Sequence, residues 1–73
     1  MTTNEKIFKL LKEKGVTQYR LAKDLDISDG LVGDWKRGKS SPTSERLVKL
    51  AIYFGVSTDY LLGLTDNPKP YDR

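Results

Sequence analysis

The stretch TQYRLAKDLDISDGLVGDWKRG, residues 17–38, decides the fold of this chain. Its apolar residues recur at helical spacing in two short runs, Leu21, Ala22 and Leu25, then Val32 and Trp35. Only the residues DIS, 26–28, separate the two runs, and the small Ala22 lies where the two helices would approach each other. Two short helices joined by a tight turn form a helix-turn-helix motif, so this motif is predicted here.

Helical spacing also recurs outside this stretch, and no segment alternates apolar and polar residues for long enough to predict a strand. We therefore expect an all-α fold, a compact bundle of five helices. The first helix covers about residues 4–14, the second starts after Thr17, the third starts after Ser28, the fourth starts at Pro42-Thr43 and is closed by Gly55, and the fifth runs from Ser57 to about Leu62.

The predicted helix starts share one capping pattern. Thr17, Ser28 and Ser57 can each accept a hydrogen bond from the free amides of a first turn. An apolar residue precedes each cap and another follows five positions later, in the arrangement of a hydrophobic staple: Val16 with Leu21, Ile27 with Val32, and Val56 with Leu61. Asp26 follows the second helix, and aspartate tolerates a left-handed conformation better than most residues.

Composition limits the chemistry that this chain can perform. The 73 residues include no cysteine and no histidine, which excludes disulfides, thiol or imidazole nucleophiles and the usual zinc-ligand sets. We expect no enzyme, no catalytic residue, no metal and no small-molecule cofactor. The net charge of +3 favours a polyanionic partner, although a well-solvated surface explains it equally well.

The chain is expected to contain one domain, residues 1–64, followed by a flexible tail or linker at 65–73, where two prolines interrupt a segment without a periodic face. No apolar run is long enough to span a membrane, and the start MTTNEKIFKL lacks the apolar region of a signal peptide. The sequence thus predicts a cytoplasmic protein that does not contact membranes.

Several short motifs, in their order and spacing, resemble the Cro/C1-type (XRE-like) helix-turn-helix family, which includes phage repressors and small bacterial regulators. The resemblance covers roughly residues 4–64, and its markers are Thr17-Gln18, Leu21-Ala22, Ile27-Ser28, Trp35 before Arg37-Gly38-Lys39, Pro42, and the closing FGVSTDYLLG. It implies a fold of the lambda-repressor-like DNA-binding type, in which helices 2 and 3 form the helix-turn-helix and helix 3 enters the major groove of double-stranded DNA.

The resemblance also implies roles for individual residues. Positions that usually read base edges are occupied by Asp29, Gly30 and Asp34, and positions that usually contact phosphates by Gln18, Lys39, Ser40, Ser41 and Thr43. Gly33 is expected to face the DNA together with Gly30, because nothing in core packing demands glycine there. Lys36 and Arg37 would add attraction for the phosphates.

The acidic residues of helix 3 have two interpretations. Asp29 and Asp34 would accept hydrogen bonds from the N4 amino group of cytosine, the major-groove donor that carboxylates match well. Alternatively, Asp29 is a favourable first-turn charge, Asp34 balances Lys36 and Arg37, and Leu31 packs on the core.

Further predictions concern the surface away from the DNA. The lysines of helix 1 are expected to form a solvated face: Lys6, Lys9, Lys12 and Lys14. Near the C-terminal end, Tyr60, Leu61 and Leu62 are either core or the surface of a homodimer, since the family often pairs subunits there.

The sequence therefore predicts a sequence-specific regulator of transcription, more often a repressor, that binds a roughly palindromic operator as a dimer. The alternative is a protein-interaction module, antitoxin-like or regulator-binding, whose acidic helix 3 meets a basic protein surface.

Overall fold

Five α-helices make up the part of the chain that the computed structural model describes, residues 1–70. They are α1 (Thr3–Lys14), α2 (Gln18–Leu25), α3 (Asp29–Arg37), α4 (Ser44–Phe54) and α5 (Thr58–Leu62). No strand occurs among residues 1–70, so the prediction of an all-α bundle is confirmed. The helix bounds also agree closely with those expected from the apolar spacing.

Side-chain caps begin every helix. Thr17, Ser28 and Ser57 each accept a hydrogen bond from the amide three residues further on, as predicted. Thr43 caps α4 in the same way at the predicted start of that helix. The cap of α1 was not predicted. There the Glu5 amide donates to Thr2 Oγ1 at 3.1 Å and the Thr2 amide donates to Glu5 Oε1 at 2.8 Å, which completes a capping box.

The capping box also affects the ionisation of Glu5. The hydrogen bonds from the Thr2 amide and hydroxyl lower the pKa of the Glu5 carboxyl below its ordinary value. The signal for this cap was present in the sequence as Thr-x-x-Glu at positions 2–5.

Every helix ends at a residue in the left-handed conformation. Four of these residues are glycines, and the fifth is Asp26, whose φ is 56°. Within residues 1–70, Asp26 is the only non-glycine residue with positive φ. The prediction that aspartate would take a left-handed turn between α2 and α3 is therefore confirmed.

Trp35 lies at the centre of the core and is 1% exposed. Apolar residues from all five helices surround it, and the buried set is Ile7, Leu10, Leu11, Leu21, Ala22, Val32, Leu47, Leu50, Ala51, Phe54, Val56 and Leu61. The staple residues Val16 and Ile27 pack at the edge of this cluster. Burial of this apolar surface is the main source of stability for the fold, because no disulfide contributes to it.

The segment after α5 turns back towards the start of that helix. The Ser57 amide donates to the carbonyl oxygen of Pro68 at 3.1 Å, while residues 66–70 are exposed. Residues 71–73 of the predicted tail lie outside the described part of the chain.

Candidate nucleic-acid interface

Helices α2 and α3 pack on each other more extensively than any other pair of helices. Leu21 and Ala22 of α2 meet Val32 and Trp35 of α3 within the core, and the turn at Asp26 sets the angle between the helices. This packing fixes the orientation of α3 relative to the rest of the domain. The outward-facing residues of α3 and the loop after it form the candidate nucleic-acid interface.

The first turn of α3 is open to solvent. Asp29 and Gly30 are exposed, and a Cβ built on Gly30 would meet no atom within 4 Å. Leu31 is partly buried and packs on the core, as the second interpretation of helix 3 predicted. A partner that approaches this turn would therefore meet the Asp29 carboxylate and the backbone at Gly30.

Gly33 differs from Gly30 because it is buried. A Cβ at Gly33 would lie 3.2 Å from Nη1 of Arg37 and 3.4 Å from Nε2 of Gln18. The two side chains that were predicted to contact phosphates thus converge over this glycine. The neighbours of Gly33 are therefore the ends of two flexible polar side chains and not core residues, and these ends cover the glycine that was expected to face the DNA.

Asp34 forms an ion pair one turn before the end of α3. Nη2 of Arg37 donates to Asp34 Oδ1 at 2.7 Å, and the two side chains are 58% and 40% exposed, respectively. The interpretation that Asp34 balances a neighbouring cation therefore holds for Arg37. The carboxylate that was predicted to accept from cytosine already has a charged partner.

The loop between α3 and α4 presents an exposed polar surface. Lys39, Ser40 and Ser41 are all exposed, as is Lys36 in the last turn of α3. Gly38 turns the chain in the left-handed conformation, with φ 75°, and the Lys39 amide donates to the Asp34 carbonyl at 2.9 Å. The left-handed turn at Gly38 and this hydrogen bond fix the direction in which the loop leaves the helix.

Thr43 ends this loop and begins α4. Its Oγ1 accepts from the Arg46 amide at 3.3 Å, and the residue is exposed. The hydroxyl hydrogen of Thr43 and the free amides of the first turn can therefore donate to an anion at this helix start.

Asn4 is a residue of this region that sequence reasoning missed. Its Nδ2 donates to the carbonyl oxygens of Trp35 at 3.0 Å and Ser40 at 2.9 Å, which joins the start of α1 to the end of α3 and the loop. A groove of about 660 Å³ lies between these segments. No local pattern could have indicated these contacts, because Asn4 is 31 and 36 residues away from its partners.

A second side-chain network joins α2 to α4. The Tyr53 hydroxyl donates to Asp24 Oδ2 at 2.6 Å, and Nε of Arg20 donates to the same carboxylate at 3.0 Å. The hydrogen bond from Tyr53 lowers the pKa of Asp24, and donation to Asp24 raises the pKa of Tyr53. Arg20 is thus oriented by Asp24, on the helix that precedes the turn.

The predictions for the remaining surface are partly corrected. Lys6 does not belong to a solvated face, because its Nζ donates to the Tyr60 carbonyl at 2.8 Å and lies 4.5 Å from the centre of the Tyr60 ring. Leu61 is fully buried and is a core residue, the first of the two roles left open for it. Tyr60 is half-buried and Leu62 is 50% exposed, so these two residues remain accessible.

Residues 1–70 contain neither a cluster of potential metal ligands nor a long apolar helix. In that range, no group of three or more acidic side chains is close enough to hold a metal ion. No helix there has the length and apolar content needed to cross a membrane.

The packed pair α2 and α3, its left-handed turn at Asp26 and the polar loop after α3 define a helix-turn-helix domain. A family model described as helix-turn-helix matches residues 7–61. The chain belongs to this helix-turn-helix family, in its XRE-like branch.

Relatives and a solved structure agree with this assignment. The chain is 35% identical over 66 residues to the HTH-type transcriptional regulator YobD of Bacillus subtilis, covering 90% of this chain and 59% of YobD. It is 37% identical over 62 residues to the HTH-type transcriptional activator BcrR of Enterococcus faecalis, covering 85% of this chain and 30% of BcrR. The chain therefore spans little more than half the length of YobD and less than a third of the length of BcrR.

One similar solved structure is that of the P22 c2 repressor protein in complex with the synthetic operator 9T. The TM-score is 0.76 at 29% sequence identity, and the match covers 85% of this chain and 94% of the repressor chain. The five-helix architecture of this chain is thus that of a phage repressor domain.

Proposed function

We propose that this chain is the DNA-binding domain of a cytoplasmic regulator that represses transcription by binding a roughly palindromic operator as a homodimer. The single observation that carries the proposal is the position of α3. It buries Val32 and Trp35 in the core that it shares with α2, and it leaves its first turn exposed at one end and the basic residues Lys36 and Lys39 exposed at the other. In helix-turn-helix proteins, the second helix enters the major groove while the first crosses the backbone.

The proposed interface has two parts. Base edges are read from α3, through the positions Asp29, Gly30, Gly33 and Asp34. Phosphates are contacted by the basic end of α3, the loop and the helix starts around it: Gln18, Lys36, Arg37, Lys39, Ser40, Ser41 and Thr43. Phosphate contacts position a protein on the duplex, whereas base contacts give it sequence preference.

The dimer is proposed to form through the C-terminal end of the domain. Leu62 and Leu64 are 50% and 73% exposed, which leaves apolar surface next to the half-buried Tyr60. Two subunits paired there would place their α3 helices in successive major grooves, about 34–36 Å apart. A single module of this size buries too little surface on DNA for high specificity, so two subunits are needed.

Selection from a pool of random duplexes tests the proposal. We expect an enriched, roughly palindromic motif, and binding of the selected duplex, followed by fluorescence anisotropy, that exceeds binding of a shuffled duplex at physiological salt. Leu62→Asp should weaken binding to the full palindrome and leave binding to a single half-site almost unchanged. A reporter gene placed behind the selected operator then distinguishes repression from activation.

The opposite result has a specific meaning. If no motif is enriched and binding disappears as salt rises, the basic loop attracts polyanions in general. The alternative of a protein-interaction module would then replace the proposal, with Asp29 as the exposed acidic residue of its contact surface.

A further inference from the structure

We infer that Arg37, held by Asp34 above Gly33, is the base-reading group of α3 and that it selects a guanine. This inference rests on the proposed function and deepens it, because it names the side chain and the base that give the preference. On charge and hydrogen-bonding chemistry, the sequence predicted that Arg37 attracts phosphates and that Asp34 reads cytosine. The inference exchanges the roles of these two residues and leaves the rest of the proposed interface unchanged.

The position of the guanidinium carries the inference. Nη2 of Arg37 donates to Asp34 Oδ1 at 2.7 Å, and Nη1 lies 3.2 Å from the point where a Cβ on Gly33 would stand. The side chain therefore lies back along α3 over the preceding turn, as long helical side chains do. It does not extend beyond the end of the helix towards the loop.

Gln18 shows which side of α3 the guanidinium occupies. The Nε2 atom of Gln18 lies 3.4 Å from the same Cβ point on Gly33. Gln18 is the first residue of α2, at the helix start that faces the duplex in the proposed mode. Arg37 is thus on the side of α3 that faces DNA, and it is 58% exposed there.

The chemistry of the pair favours arginine as the reader. A guanidinium carries five N–H donors in a planar fork, and the contact with Asp34 uses one of them. The outer N–H groups can donate to O6 and N7 of guanine together, which is the commonest specific contact in the major groove. Asp34 restricts the rotamers of Arg37 before DNA arrives, so less conformational freedom is lost on binding.

Gly33 is the third component. A glycine inside a helix is less stable than alanine, so its presence in α3 needs a reason. A methyl group there would lie 3.2 Å from Arg37 Nη1, which is closer than an ordinary van der Waals contact, and 3.4 Å from Gln18 Nε2. Because Nη1 is at the end of a flexible side chain, the helix would survive the substitution and the guanidinium would shift by a few tenths of an ångström.

The test compares three variants with the wild type by selection from random duplexes. Arg37→Met keeps the length of the side chain but removes every N–H donor, so it loses guanine recognition. The lost charge weakens binding to all duplexes alike, so a change in base preference reports base reading and not phosphate contact. Asp34→Asn keeps the shape and removes the charge that holds Arg37, which weakens the preference. Gly33→Ala shifts the guanidinium by a few tenths of an ångström. Circular dichroism and Tm confirm that each variant is folded, and Gly30→Ala shows how a glycine-to-alanine change alters Tm where no side chain is displaced.

The expected result is a guanine preference of about 5- to 150-fold in the wild type, which Arg37→Met abolishes and Asp34→Asn weakens. Gly33→Ala lowers the preference slightly without a loss of Tm. Replacing that guanine by 7-deazaguanine, which lacks the N7 acceptor, should weaken wild-type binding and leave Arg37→Met binding unchanged.

Two results would overturn the inference alone. In the first, a motif is enriched and Arg37→Met retains its preference. In the second, 7-deazaguanine has no effect on the wild type while Asp34→Asn removes the preference, which would make Asp34 a reader of cytosine. Absence of any enriched motif for the wild type overturns the proposed function, and the inference with it.

Discussion

Asn4 and Ser40 are joined by a hydrogen bond of 2.9 Å from the Asn4 side-chain amide to the Ser40 carbonyl. The same Nδ2 also donates to the carbonyl of Trp35, at 3.0 Å. The Asn4 carboxamide therefore links the first turn of α1 to the last turn of α3 and to the loop that follows it. The conformation of the proposed phosphate-binding loop depends on a residue that does not itself face the duplex.

Asn4→Ala is expected to loosen the loop and weaken DNA binding by about fivefold for all sequences alike, since an ordinary hydrogen bond contributes about 1 kcal/mol. In the free protein, ¹⁵N relaxation should show greater mobility of the amides at residues 39–41. Thr2→Ala is the matched control, because it removes the cap of the same helix, costs about 1 kcal/mol of stability and leaves Asn4 in place. Equal affinity losses in the two variants, measured well below Tm, would show that Asn4 acts through stability alone.

Lys39→Ala should weaken binding to every duplex by a similar factor, because Lys39 is exposed in the loop and a phosphate contact carries no sequence information. With about four phosphates neutralised per subunit, the slope of log K against log salt is expected to be about −3.6, and the variant should reduce its magnitude by about 1. Titrations at several salt concentrations provide the measurement. A changed base preference with an unchanged slope would contradict the assignment.

Asp26→Gly should raise the free energy of unfolding by about 0.5–1 kcal/mol, because φ is 56° at this position and a side chain strains the left-handed conformation. Asp26→Ala should lower it, since alanine lacks the polar side chain that makes this conformation tolerable for aspartate. Urea denaturation of the three proteins measures the order of stability. If the glycine variant is less stable than the wild type, the aspartate side chain contributes a stabilising contact that outweighs the strain.

The hydrogen bond between Tyr53 and Asp24 should make stability depend on pH at both extremes. The lowered pKa of Asp24 means that its contribution is present above the ordinary carboxyl range and is lost as pH falls through its folded pKa. The raised pKa of Tyr53 means that its contribution is complete below about pH 10 and is lost as pH rises through its folded pKa.

Tyr53→Phe should therefore be less stable than the wild type at pH 7, with the difference shrinking at pH 2 and at pH 11. Urea denaturation at the three pH values measures this difference. Tyr60→Phe provides a comparison, because the Tyr60 contacts with Lys6 involve its ring and its backbone carbonyl. A difference for Tyr53→Phe that is constant across pH would mean that the hydroxyl acts without the Asp24 charge.

Features encoded within a few residues could be predicted from the sequence. Thr17 and Ser28 cap the helices they were expected to cap, and Asp26 adopts the left-handed conformation that its position required. These features depend on contacts between residues three to five positions apart. The helix-turn-helix followed from them, because the turn is short and the apolar residues on both sides have helical spacing.

Features that depend on how the helices cross could not be predicted in the same way. Asn4 reaches a loop 36 residues away, and Lys6 reaches Tyr60 across the interface between α1 and α5. Gly33 was expected to face the DNA, but the side-chain ends that cover it come from Arg37 and from Gln18 of the neighbouring helix. Side chains that meet in space from distant positions leave no periodic signal in a sequence.

The cap at Ser28 and the left-handed stop at Gly38 set the two ends of α3 through hydrogen bonds of their own. The length of this helix is thus independent of the residues on its outer surface. Evolution, or a protein engineer, can exchange those outer residues and redirect the domain to new operators while the scaffold that carries them stays the same.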